Sequence, residues 1–460
     1  MKKTSFFQIK NLLVALLLAT MLLTTSCKQQ AKEIEPFKVE HVSWVPSATI
    51  YEVNVRQFTP EGTFKAFETH LPRLKELGVD VLWFMPIHPI GVENRKGSLG
   101  SYYSVKDYYG INPEFGTLDD FKSVVAKAHE LGMKVIIDVV ANHTSHDAVL
   151  ITEHPDWYVR DSTGKVVSPF DWTDVAKLDY SKPGLRKYMI DMLKYWVKDI
   201  DLDGFRCDVA AEVPADFWND ARAELDKVKP VFMLAEAENI ELMKYAFDVD
   251  YGWEFHHIMN SIAKGTKSAV DIETYLLKKA ATYPKNALKM NFITNHDENS
   301  WNGTEFERMG AAVKTMATLS FVVDGMPLIY NGQEVGFNER LNFFEKDTII
   351  WDDAANMTDF YKKLTALKKT YSALNAGETG ADIFRIKSNA DSTVFAFTRE
   401  NEKEKLFMVF NLTAAKQNIK FIGDAHLGNY TEYFTGEAKE FVAEQEMALE
   451  PWDYKVYIKQ

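Results

Sequence analysis

Four short stretches of this 460-residue sequence combine an apolar run with residues able to do acid–base or charge-stabilising chemistry. "DVVANH" supplies Asp138, Asn142 and His143. "GFRCD" supplies Arg206 and Asp208, "LAEAE" supplies Glu236, and "FITNHD" supplies Asn295, His296 and Asp297. An arginine and an aspartate two residues apart at the end of a buried run need a reason. Burying either charge alone is costly, and pairing them stabilises only with good geometry. Each residue also has a bland reading. A lone strand-end Asp caps the next helix more often than it does chemistry, a His there is usually a satisfied hydrogen-bonding group, and Arg206 could simply neutralise Asp208. That reading weakens if all of them fall on one rim, because capping does not require the coincidence.

Paired carboxylates on a rim suit glycoside hydrolysis. One must be ionised to attack the anomeric carbon, and the other must hold a proton for the leaving oxygen. Neighbouring groups set that division. Arg206 is expected to keep Asp208 charged and oriented, whereas Glu236, in the apolar setting "FMLAEA", is expected to keep its proton more readily. Asp297 would hold sugar hydroxyls and tighten on them in the oxocarbenium-like transition state. His143 and His296 would hydrogen-bond the same sugar.

These residues need elements that bring them together. Candidate strands are 49–55, 79–84, 134–140, 203–208, 231–236, 246–250, 290–295 and 327–331, the fifth and sixth carrying the weakest pattern. Between them lie amphipathic stretches, such as Leu118, Phe121, Val124, Val125, Ala128 and Leu131 at helical spacing. Alternating strands and helices imply a parallel sheet covered by helices, and eight near-continuous apolar strands point to a (β/α)8 TIM barrel. Barrel sites form at the C-terminal ends of the strands, which is where the four stretches end. Residues 143–182 show little periodicity, and an insertion that long is usually functional. From residue 375 the pattern changes to seven short strands separated by turn signals, which read as an antiparallel β-sandwich. The expected organisation is therefore a barrel over 41–374, with the insertion at 143–182, and a sandwich over 375–460.

The same motifs resemble the four signature regions of the alpha-amylase superfamily, glycoside hydrolase family 13. Each is weak alone, but four in order on the right strands are specific. The resemblance covers residues 45 to 460; the insertion resembles domain B of that family and the terminal strands resemble domain C. It implies retaining cleavage of α-glucosidic bonds in starch or malto-oligosaccharides. By position, Asp208 matches the nucleophile, Glu236 the general acid/base and Asp297 the transition-state stabiliser. His143, Arg206 and His296 match residues that bind sugar or orient the nucleophile, and Tyr103 in "GSYYSVKDYYGINPEFGT" matches a tyrosine that stacks on the sugar at the cleavage site. The chemistry needs no cofactor. Asn142 matches a calcium ligand, but Glu212 stands where many calcium-dependent members carry a His, so a structural calcium is doubtful. "DVAAEVP" is closer to the neopullulanase and cyclomaltodextrinase branch, which leaves transglycosylation or α-1,6 cleavage as the alternative activity. A non-catalytic sugar-binding protein is disfavoured because all three carboxylates are present.

The formal net charge of -13 argues against nucleic acid, whose backbone needs a basic footprint. Lys2, Lys3 and Lys10 precede the apolar run "LLVALLLATMLL", too short for a membrane span and suited to a signal-peptide core. "TTSC" then resembles a bacterial lipoprotein cleavage box, with Cys27 as the lipidated residue and 28–40 as a polar tether. The expected location is exported and anchored to the outer membrane, with membrane contact only through the lipid. With Cys27 lipidated, Cys207 is left alone and reads as a small buried apolar residue.

Overall fold

The computed structural model describes residues 37–460, so residues 1–36, including Cys27, the signal segment and most of the tether, lie outside the described residues. Eight parallel strands close into a barrel: β1 (Ile50–Val53), β2 (Val81–Phe84), β3 (Lys134–Val139), then β6 (Gly204–Cys207), β7 (Phe232–Ala235), β8 (Val249–Tyr251), β9 (Leu288–Asn291) and β10 (Met326–Tyr330). The short strands β4 (His143–Ser145) and β5 (Val175–Lys177) pair antiparallel inside the insertion that follows β3.

Apolar runs become barrel strands because both of their faces are buried. In β7, Phe232 and Leu234 enter the barrel interior with Trp83, Ile136 and Met290, while Met233 and Ala235 join the layer between strands and helices. The helix Leu118–Glu130 begins with a capping box between Thr117 and Asp120 and buries Phe121, Val124, Val125 and Ala128. The helix Pro183–Lys198 opens on a proline and buries Leu185, Met189, Met192 and Trp196 in the same layer. Gly204 opens β6 where a Cβ would meet the carbonyl oxygen of Phe232 at 1.9 Å, so no side chain fits between these strands.

The C-terminal strands are β11 (Ile383–Ser388), β12 (Val394–Glu400), β13 (Lys405–Asn411), β14 (Gln417–Ile422), β15 (Gly428–Glu432), β16 (Ala438–Phe441), β17 (Glu446–Leu449) and β18 (Tyr454–Lys459). They form one antiparallel array in the order β16-β15-β18-β13-β12-β11-β14-β17. It has eight strands where the sequence pattern gives seven. The extra one, β16, is largely exposed and lacks an apolar face. The seventh barrel strand also pairs earlier than expected, over 288–291 rather than 290–295, because Phe292 to Thr294 already leave the ladder as they approach the rim. The buried Arg399 joins the two parts by donating to the carbonyls of Val322, Asn375 and Ala381.

Candidate active site

The C-terminal rim of the barrel holds a cleft of about 380 Å³, within the range of small-molecule sites. Tyr103, His143, Asp208, Glu236, His296 and Asp297 all line it. Arg206 lies beneath, fully buried. A larger cleft of about 520 Å³ sits between the helix Ala269–Thr282 and the C-terminal strands, but none of the rim residues lines it.

The arginine is shared more widely than the sequence implies. Its Nη1 donates to both oxygens of Asp138, at 2.8 and 3.0 Å, and to Oδ1 of Asp208 at 3.1 Å. Its Nη2 lies 3.0 Å from Oε1 of Glu236, and its Nε donates to the Tyr251 hydroxyl at 3.1 Å. Asp138 also accepts from the Trp83 indole and the Tyr103 hydroxyl. Arg206 does orient Asp208 as expected, but the same Nη1 also meets both oxygens of Asp138. The apolar setting expected for Glu236 is corrected, since Oε2 accepts the Val209 amide at 2.7 Å and Oε1 faces the guanidinium.

Val209, directly after Asp208, sits in the left-handed region at φ 36 and ψ 50. A β-branched residue there is strained, at a cost of about 1–3 kcal/mol. The strain turns its N–H onto Glu236 and so ties the two carboxylate-bearing loops together.

On the other side, Oε1 of Glu52 in β1 lies 2.5 Å from Nδ1 of His296. The His296 Nε2 is 2.8 Å from the Tyr103 hydroxyl and 3.4 Å from Oδ2 of Asp297. Burial pushes His296 down, but the charges of Asp297 and Glu52 outweigh it and raise it to about 9. His143 is driven the other way, to about 3, by burial, and is neutral. Asp208 is pushed up by burial and the Glu236 charge against the pull of Arg206; Asp138 rises to about 6 through burial, opposed by Arg206. Burial also raises Asp297, opposed by His296. Burial raises Glu52 as well, so four carboxylates of the cluster (Glu52, Asp138, Asp208, Asp297) are held above the usual carboxylate range.

Asn142 stands apart from this acid cluster. It is buried, and its side-chain nitrogen is 3.2 Å from Nδ1 of His143. Lys177 pairs with His143 across β4 and β5, and its ammonium bridges to Glu212 at 3.6 Å. No group of three or more His, Cys, Asp or Glu side chains among the described residues is arranged to hold a metal.

The family profile described as "Alpha amylase, catalytic domain" matches residues 47–175 and 153–373, and that described as "Alpha amylase, C-terminal all-beta domain" matches 385–458. The chain belongs to the alpha-amylase family of glycoside hydrolases. The crystal structure of an alpha-amylase from Lactobacillus plantarum is 34% identical with a TM-score of 0.82, covering 90% of this chain and 99% of its own. The maltogenic alpha-amylase AmyB from Thermotoga neapolitana is 30% identical with the same TM-score and coverage. Among sequence relatives, a cyclomaltodextrinase from a Bacillus species is 25% identical over 437 residues, 84% of this chain and 76% of its own length. The Alpha-amylase MalA of Haloarcula japonica is 27% identical over 389 residues, 80% of this chain; the match spans only 56% of that relative.

Within this family architecture, sequence reasoning missed three contributors to the site. Glu52 was signalled only by being the one charge inside "TIYEVNV". Asp138 ends an apolar strand run, but nothing in the sequence marks it as a partner of Arg206. The aromatic walls of the cleft, Trp172 on one side and Trp301, Phe343 and Phe344 on the other, carried no signal in spacing.

Proposed function

We propose that this protein is a retaining hydrolase of α-1,4-glucosidic bonds in starch or malto-oligosaccharides, working by double displacement. The observation that carries the proposal is the single buried guanidinium that touches both Asp208 and Glu236 at the floor of one cleft. Sharing one guanidinium favours the short carboxyl separation, about 5–5.5 Å, that retaining enzymes use.

In the first step an Asp208 oxygen attacks the anomeric carbon as its bond to the leaving oxygen breaks. Glu236 gives its proton to that oxygen. In the second step Glu236 takes a proton from water, the water oxygen bonds to the anomeric carbon, and the ester to Asp208 breaks. Asp297 and the protonated His296 would grip sugar hydroxyls, and Arg206 holds the reacting carboxylate in line. Proton NMR during hydrolysis of maltoheptaose tests the reading: the α-anomer should form first, and first formation of the β-anomer would exclude it.

A second reading, α-1,6 cleavage or glucosyl transfer on the same centre, is favoured by relatives such as Neopullulanase 2 of Thermoactinomyces vulgaris, 26% identical over 393 residues. Products from maltoheptaose, pullulan and panose separate the two, because abundant products longer than the donor mark transfer. We further propose that the protein is exported and anchored through lipid on Cys27. Mass spectrometry of the mature amino terminus should find diacylglycerol on that cysteine; an unmodified Cys27 in the membrane fraction would overturn this.

A further inference from the structure

Asp297 is followed at once by a π turn, Glu298–Asn302. Such turns are rare and concentrate at functional sites. Its inner face is pinned. Glu298 Oε2 lies 3.1 Å from Nε2 of His256, and Oε1 accepts from Asn302 at 3.0 Å. The buried Arg308 donates to the Ile293 carbonyl at 2.7 Å and to the Gly303 carbonyl at 2.9 Å. One guanidinium thus clamps both ends of the loop that carries His296 and Asp297.

The outer face does something different. Trp301, within the turn, is 53% exposed where it lines the cleft. Its ring lies 5.1 Å from Phe343 and 5.8 Å from Phe344. Phe343 in turn stacks on Tyr103 at 6.1 Å and 17°. The loop bearing these phenylalanines is fastened to the π turn: Leu341 N donates to Asn299 at 2.8 Å, Asn299 donates to the Glu339 carbonyl at 3.1 Å, and Ser300 donates to the Leu341 carbonyl at 2.8 Å. The result is a rigid aromatic strip running from Tyr103, beside the acids, out to Trp301. Trp301, Phe343, Phe344 and Tyr103 thus form one contiguous apolar patch lining the cleft, and such a patch at a cleft marks a ligand-contact surface.

We propose that Trp301, supported by Phe343, is a sugar-stacking platform that adds a malto-oligosaccharide subsite on the Asp297 side of the cleft. The inference rests on the α-glucan reading above. A pyranose presents an apolar C–H face that can lie flat on the indole, while its hydroxyls stay in water. Short substrates confined to the acid cluster would not reach the mouth, so the platform would act as a chain-length selector.

The test is kcat/KM on maltotriose and maltoheptaose for wild type, Trp301→Ala and Trp301→Phe. The alanine variant should lower the maltoheptaose-to-maltotriose ratio about tenfold, mostly through KM, as expected for loss of one aromatic contact. The phenylalanine variant should recover part of it. A ratio unchanged in Trp301→Ala, or equal losses on both substrates, overturns the platform while leaving the hydrolase reading intact. A wild-type protein that releases no reducing sugar from maltoheptaose overturns both.

Discussion

Replacing Glu52 with Gln removes one of the two carboxylate charges that hold His296 protonated, without changing the size of a buried side chain. His296 lies at about 9 in the folded protein against an ordinary 6.5. A raised histidine contributes stability that is complete below pH 6.5 and is lost as pH rises through 9. At 1.36 kcal/mol per unit, that contribution is about 3 kcal/mol. Of the influences raising His296, the Asp297 charge comes first and survives the substitution; the Glu52 charge and hydrogen bond do not. The loss between pH 6.5 and 10 should therefore shrink by about half. Urea unfolding of both proteins across that range measures it, and the informative quantity is wild type minus variant. The subtraction matters because burial pushes the Lys368 amine down to about 7, which makes stability rise with pH over the same interval. That contribution is common to both proteins and cancels. Activity supplies a second readout: the alkaline limb of kcat/KM should move to lower pH in Glu52→Gln. Parallel stability curves with an unmoved alkaline limb would refute the assignment of His296 as a cation held by Glu52.

Three other substitutions or treatments follow from the same geometry. Arg206→Lys should lower kcat/KM by about 100- to 1,000-fold, because an ammonium cannot span Asp138, Asp208 and Glu236 at once; a loss below tenfold in steady-state assays would contradict it. Gly204→Ala should destabilise by at least about 3 kcal/mol or prevent folding, since its Cβ would overlap the Phe232 carbonyl; urea unfolding close to wild type would show that the strands can part. Treatment with EDTA should leave the Tm and the activity unchanged, since the Lys177 ammonium already bridges to Glu212, the position where calcium-dependent relatives are expected to carry a His; a fall in Tm restored by calcium would contradict this.

The barrel was legible because strands buried on both faces read as continuous apolar runs, and the covering helices repeat every three to four residues. The acids were legible because each ends such a run. What was hidden depends on contacts between distant segments. Glu52 matters only because β1 brings it against His296, 244 residues away. The preference of Arg206 for Asp138 follows from the β3–β6 register, in which the two face each other across adjacent strands. Trp301 looks like any loop aromatic until the fold sets it, on a π turn, in the lining of the cleft. β16, with the sequence AKEF, carries charges where a strand pattern needs an apolar face; it is held by pairing with β15 and by the one buried ring of Phe441 against Phe407, Tyr430 and Tyr457.

The central claim is that Asp208 forms a covalent bond to sugar during turnover. Incubation with a fluorinated α-glucosyl donor that slows the second step, followed by peptide mass spectrometry, measures this directly. The account predicts one added glycosyl group on the peptide containing Asp208, absent in Asp208→Asn. A glycosyl adduct on Glu236 or Asp297, or steady turnover in Asp208→Asn, would contradict it.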